Sequence, residues 1–183
     1  MTNELNPWQT IQKTVRYESA WIRTEEHDVI NPAGKPGKYS LTHFKNIAVA
    51  VIPLDNENNT WIVGQYRYPL QSFEWEVCEG GCPEGTDPLE TAKRELKEEC
   101  GIIAGDFELI LEMQLSNSAT DEISYTYLAR NLSMTMSQPE ETEQLTIKKI
   151  PFAELFQMVI SGKIKDALSV ASVLKANEIL KQL

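Results

Sequence analysis

Cationic charge is scarce in this chain. Its 183 residues hold 17 lysines and arginines against 27 aspartates and glutamates, a net charge of −10. A nucleic-acid backbone is gripped by clustered basic side chains, and no basic patch exists here, so nucleic acid is excluded as a partner. Histidine and cysteine are also few, two and three respectively. Cys78-x3-Cys82 has the spacing of half a zinc site, but His27 and His43 are scattered and no second pair completes it. The N-terminus MTNELNPW lacks a basic leader with an apolar core, and no apolar run approaches the roughly 20 residues of a membrane helix. Together with an odd cysteine count, this points to a cytoplasmic protein with reduced thiols and no membrane partner.

What is present suits one globular domain with a sizeable core. The chain is 42% hydrophobic, with nine glycines and nine prolines. No repeat or low-complexity stretch appears. Residues 1–13 read as a loose arm or short helix. Thr14–Ile30 is rich in β-branched and aromatic residues and predicts one or two strands, and Lys38–Phe44 resumes as a strand after the Asn31-Pro32-Ala33-Gly34 turn. These early strands form a unit of their own, 1–45, ahead of a main domain at 46–183. Ile47–Leu54 is a continuous apolar run and predicts a central strand buried on both faces. Thr60–Tyr66, Phe107–Gln114, Ile123–Ala129 and Leu145–Ile150 predict further strands. Helices are expected over Pro151–Ile160 and from a cap at Asp166 to Leu183. The fold class is α/β in the broad sense (α+β): a mixed β-sheet sandwiched between helices, with an N-terminal antiparallel strand extension.

The stretch Glu74–Ile102, EWEVCEGGCPEGTDPLETAKRELKEECGI, organises the rest. It opens as a strand, breaks into a Gly-rich turn and continues as a helix expected over Pro88–Cys100. Asp87, Pro88 and Glu90 read as N-cap, first-turn proline and capping-box glutamate, and Gly101 as a left-handed C-cap. Leu89, Ala92, Leu96 and Cys100 share one apolar stripe. Glu95 and Glu99 lie one turn apart on a different face, with Glu98 beside them. Acidic helix faces are ordinarily solvated surface, and like charges at i, i+4 repel. This one directly follows a glycine turn that lets backbone approach a ligand. Clustered hard oxygens there suit Mg²⁺, which is commonly shared with substrate phosphates. A bound metal also resolves how so acidic a protein could hold an anionic substrate.

This segment resembles the signature of the Nudix hydrolases, G-x5-E-x7-R-E-(apolar)-x-E-E-x-G-(apolar). Gly80, Arg94, Glu95, Leu96, Glu98, Glu99, Gly101 and Ile102 fall at the required spacings, while Thr86 replaces the first glutamate of the pattern. In the family that glutamate braces the loop and helix, so its loss bears on loop rigidity more than on metal binding. The resemblance implies metal ligation by Glu95 and Glu99, with Glu98 alongside and the backbone carbonyl of Glu79. It implies a pairing or catalytic role for Arg94.

The wider chain is similar to the nucleoside diphosphate sugar branch, which includes ADP-ribose pyrophosphatases. The Gln65–Pro69 segment, Glu76 and the Gly80 turn follow its spacing. Resemblance to that branch implies phosphate contact by Arg67, base stacking by Trp21 and Tyr39, and a homodimer with swapped N-terminal strands. It implies a general base on the loop before the last strand, Glu143 first and Glu141 second. Apart from the resemblance, Glu122, after Ser116–Asp121, is a further candidate to face substrate. The expected activity is Mg²⁺-dependent, with Mn²⁺ as the alternative metal. It would cleave the diphosphate of nucleoside diphosphate sugars, ADP-ribose foremost. Two rival readings are a hydrolase of dinucleotide polyphosphates or nucleoside triphosphates, and a non-catalytic nucleotide-sugar sensor.

Overall fold

A computed structural model of the chain describes residues 5–137 and 144–182. The chain divides into two compact units, Met1–Asn46 with Ser116–Glu122, and Ile47–Leu115 with Ile123–Leu183.

The first unit is an antiparallel meander of β1 (Gln9–Glu18), β2 (Ile22–Ile30) and β3 (Pro36–Phe44). Gln9–Lys13, expected as an arm or short helix, are strand because they pair with β2 from Gln9↔Ile30 onward. No alternation marks them, since nearly all of β1 is exposed on both sides. β2 does alternate, burying Glu25, His27 and Val29. Two of those three are polar, and they satisfy one another: His27 Nε2 lies 2.6 Å from Glu25, whose other oxygen accepts from Arg23 Nε at 2.7 Å. Ser116–Glu122 lines up beside β3. Tyr39 donates to the Ser118 carbonyl at 2.6 Å, and Phe44 N–H donates to Asp121 at 3.0 Å.

In the second unit β4 (Asn46–Pro53) runs through the middle of a four-stranded sheet ordered β7-β4-β9-β8. Its other strands are β7 (Cys78–Pro83), β8 (Ile102–Gln114) and β9 (Ile123–Met134). β4 and β9 are parallel, from Ala48↔Ser124 to Pro53↔Ala129, while β8 and β9 are antiparallel. A second sheet, antiparallel, is ordered β10-β5-β6 from β5 (Asn59–Arg67), β6 (Ser72–Glu76) and β10 (Thr146–Pro151). Among the described residues its α-helices are α1 (Pro88–Cys100), α2 (Phe152–Ile160) and α3 (Ala167–Leu180).

The apolar run in β4 is explained by what covers it. Ala50 and Ile52 enter one core with Leu155 of α2 and Leu168, Val173 and Ala176 of α3. Val49 and Val51 enter another with Ala92, Leu96 and Cys100 of α1. A strand with helices against both faces has no solvent side, so its sequence does not alternate. The mixed α+β architecture expected from the sequence is the one observed, with the strands shared between more than one sheet. Departures are local: β8 begins at Ile102 rather than Phe107, and the Gly-rich turn is largely strand β7.

Candidate active site

β7 and α1 lie against each other, and the sequence fixes both ends of α1. Asp87 Oδ1 accepts from Leu89 N–H at 2.9 Å, Pro88 occupies the first turn, and Gly101 closes the helix with φ 63°. The capping box is only half made, because Glu90 turns to Lys93 Nζ at 2.7 Å. Asp87→Ala is therefore expected to cost about 1 kcal/mol of stability, read by urea denaturation. The turn before the helix has its own brace in place of the glutamate that Thr86 replaces. Thr86 N–H donates to the Pro83 carbonyl at 3.0 Å, and the Cys82 thiol donates to the Thr86 carbonyl at 3.4 Å.

Two acids of α1, Glu95 and Glu99, do not lie on a solvated face. Glu95 is 8% exposed and Glu99 only 2%. Burying carboxylates costs several kcal/mol each unless partners compensate. Arg94 supplies part of that compensation. Its Nη2 donates to Glu95 at 2.7 Å and to the Gly81 carbonyl at 3.4 Å, and its Nη1 donates to half-buried Glu98 at 2.8 Å. Partial burial works against the Arg94 charge, yet Glu95 and Glu98 outweigh it and raise its pKa. Glu99 accepts from Glu79 N–H at 3.1 Å. Gly80 is where Glu95 needs bare backbone, since a Cβ there would sit 2.0 Å from the Glu95 carboxyl.

Behind this face, the Glu79 carboxyl accepts from Ser169 Oγ of α3 at 2.7 Å. Part of Glu79 reaches the surface, but its carboxyl lies on enclosed Ser169. Burial first, and nearby Asp166 second, push that carboxyl well above the usual range against the Ser169 bond. Arg67 grips buried Glu76 through Nε and Nη2, and this pairing raises the arginine's pKa against the cost of partial burial. Beside it is a cavity of about 430 Å³ lined by Arg67, Leu70, Glu74, Glu76, Lys165 and Asp166.

Among the described residues no three His, Cys, Asp or Glu side chains converge as a ready metal cage. The donor set still fits a hard divalent ion. Two buried carboxylates on one rigid helix, with backbone alongside, meet the needs of a cation that keeps most of its waters. The thiols are no rival, because Cys78, Cys82 and Cys100 are all buried and free.

The sequence profile of the NUDIX domain matches residues 44–169. This chain belongs to the Nudix family. It is 31% identical to the ADP-ribose pyrophosphatase of Mycobacterium tuberculosis over 177 residues, 94% of this chain and 84% of that protein. It is 29% identical to the ADP-ribose pyrophosphatase of Bacillus subtilis, covering 90% of each. It is also 32% identical to a methanol dehydrogenase activator of Bacillus methanolicus, covering 93% of this chain and 96% of the relative. A solved ADP compounds hydrolase shares the fold with a TM-score of 0.87 at 21% identity, covering 99% of this chain and 98% of that one. The family, the fold and the enzyme class expected from the signature, a pyrophosphohydrolase, thus hold.

Within this Nudix protein the second unit brings together Glu79, Arg94, Glu95, Glu98 and Glu99, and it also carries Arg67. Trp21, Tyr39 and Glu122 belong to the first unit. Trp21 is 67% exposed, whereas Tyr39 packs edge-on against Trp8 at 5.3 Å. The two rings do not meet in one chain. The Trp21 carbonyl accepts from Lys45 N–H, and Lys45 lies six positions beyond Tyr39, roughly 20 Å along an extended chain. Glu122 is half-buried, its N–H directed to Thr120 Oγ1 at 3.4 Å. Glu141 and Glu143, the two choices for a base, lie outside the described residues. Among the described residues no helix is long and apolar enough to cross a membrane. Sequence reasoning missed Ser169. Its one local signal is Asp166, whose carboxylate accepts from Ser169 N–H at 2.6 Å as a helix cap.

Proposed function

We propose that the chain hydrolyses the diphosphate of nucleoside diphosphate sugars, ADP-ribose foremost, giving a nucleoside monophosphate and a sugar phosphate. The observation that carries this is near-full-length similarity to ADP-ribose pyrophosphatases of two organisms. Mg²⁺ is the preferred ion, with Mn²⁺ able to replace it. When bound, the ion neutralises phosphate charge and lowers the pKa of a water toward neutrality.

Glu95 and Glu99 supply carboxylate oxygens, with Glu98 and the Glu79 carbonyl alongside, and Arg94 keeps Glu95 and Glu98 in place. Arg67 is oriented by Glu76 through Nε and Nη2, which leaves Nη1 to a substrate phosphate. Glu143, or failing it Glu141, takes the proton of the attacking water, and Glu122 faces substrate. Trp21 and Tyr39 stack on the base. Their separation within one chain supports drawing one ring from each of two subunits. A homodimer is further supported by Ile11, Val15 and Tyr17, which leave apolar surface on β1 in a single chain. In this reading 1–45 serves the dimer and base site, 46–183 serves catalysis, and the enzyme works in the cytoplasm.

The test is a panel of ADP-ribose, UDP-glucose, GDP-mannose, diadenosine polyphosphates and deoxynucleoside triphosphates, with and without Mg²⁺. ADP-ribose is expected to give the highest kcat/KM, with turnover abolished by metal removal. A preference for triphosphates or dinucleotide polyphosphates would overturn the substrate. Tight ADP-ribose binding without metal-dependent product would overturn the enzyme in favour of a sensor.

A further inference from the structure

Helix α3 contributes no group to the proposed chemistry, yet its first turn enters the signature strand. Ser169 is fully buried and makes two side-chain hydrogen bonds there. Its Oγ accepts from Val77 N–H at 3.1 Å and donates to the Glu79 carboxyl at 2.7 Å. These bonds bracket Cys78 and fix Glu79 from its side-chain end. The N–H of the same Glu79 donates to Glu99 Oε2 at 3.1 Å. Ser169 is itself set by Asp166, which caps the helix through the Ser169 N–H. A continuous line of hydrogen bonds therefore runs from the start of α3, through Glu79, to the most deeply buried carboxylate of α1.

We infer that Ser169 is a positioning residue: by clamping Val77 and Glu79 it sets the direction of the Glu79 peptide, and through it the carboxylate of Glu99. This rests on the reading of Glu99 as a metal ligand. Groups that orient metal ligands from behind typically matter ten- to a hundredfold in affinity, and a buried hydroxyl that satisfies both an amide and a carboxyl group has no substitute once removed.

The structure also contains its own control. Ser172, one turn further along α3, makes a buried hydroxyl bond to Thr126 of β9 at 2.7 Å. That bond ties α3 to the core without touching the signature strand. Ser172→Ala removes one buried hydrogen bond of the same helix and Ser169→Ala removes two, so a general loosening of α3 would weaken binding in both variants.

The experiment titrates Mn²⁺ into the metal-free full-length protein, with free ion read by electron paramagnetic resonance. Ser169→Ala is expected to weaken Mn²⁺ binding about tenfold or more, while Ser172→Ala, which also loses Tm, stays within about twofold of the parent. Ser169→Cys, similar in size and a far weaker donor, is expected to shift binding in the same direction by less, and serves where the alanine variant does not fold. Parent-like binding by the Ser169 variants, or equal weakening by Ser169→Ala and Ser172→Ala, overturns the positioning role. Glu99→Gln separates the two levels. If it leaves Mn²⁺ binding intact, the metal-site reading fails and the positioning role falls with it. If Glu99→Gln abolishes binding while Ser169→Ala does not change it, only the positioning role fails.

Discussion

Glu99→Gln is expected to lower kcat on the order of a thousandfold, about 4 kcal/mol of transition-state stabilisation at 1.36 kcal/mol per decade, while leaving the melting temperature within a few degrees. The split follows from what the substitution changes. Glutamine keeps the shape of the side chain and an oxygen that can accept from Glu79 N–H, so the contact at 3.1 Å survives. What it removes is a charge on a residue only 2% exposed. A buried carboxylate is costly to the metal-free fold, so neutralising it offsets the loss of hydrogen-bond strength. The same charge is what a divalent ion would require. Steady-state kinetics across a Mg²⁺ series, alongside thermal melts of the metal-free protein, separates the two effects. Glu98→Gln provides the comparison: Glu98 is half-buried and paired with Arg94, so a smaller loss, about tenfold, is expected there. A Glu99 variant that retained parent-like kcat would remove this residue from the catalytic centre.

The sequence is most legible where local chemistry decides the structure. Both ends of α1 could be read to the residue, because Asp87, Pro88 and Gly101 each perform a terminal task that few other residues do well. β4 was equally plain, since burial on both faces leaves an unbroken apolar run. Legibility fails where pairing, not pattern, makes the element. Gln9–Lys13 are strand only because β2 lies beside them, and Ile102–Asp106 only because Asp106, Ala104 and Ile102 pair with Arg130, Leu132 and Met134 of β9. The glycines of β7 read as a turn because a strand without side chains carries no alternation.

The site divides in the same way. The resemblance carried by the signature spacing picked out Glu95, Glu98, Glu99 and Arg94. It placed Glu95 and Glu99 on a face that acidic helices ordinarily leave solvated, whereas both are buried and meet β7. The hydrogen bond from Ser169 to Glu79 spans 90 residues of chain, and no local pattern encodes it. Thr86 shows the converse. A departure from the signature looked like a loosened loop, but Cys82 and the Pro83 carbonyl brace the turn from within.

Gly80→Ala is expected to cut kcat/KM about a hundredfold while costing only about 1 kcal/mol of stability, which for a chain of this size is a few degrees of Tm. A Cβ at position 80 would lie 2.0 Å from both Cδ and Oε1 of Glu95. No such contact is tolerable, so something must give way. The atoms in the way, Cδ, Oε1 and, at 2.4 Å, Cγ, belong to a flexible side chain rather than backbone, so the fold absorbs the clash by swinging the Glu95 side chain aside. That movement, of an ångström or more, takes the carboxylate away from any ion it would share with Glu99, while the Arg94 side chain, 40% exposed, follows it and keeps the pair. Misplacement of a reacting or ligating group by about 1 Å is enough for a loss on this scale. Gly85 supplies the contrast in the same turn. Its φ of 81° makes any side chain strained, but nothing lies within 4 Å of a Cβ built there. Gly85→Ala should therefore lose about the same 1 kcal/mol, from backbone strain alone, and keep nearly all of its activity. Two alanine variants five residues apart, matched in Tm and differing a hundredfold in kcat/KM, would locate the function of Gly80 in the space it leaves for Glu95. Equal activity in the two would mean that the position of the Glu95 carboxylate does not govern turnover.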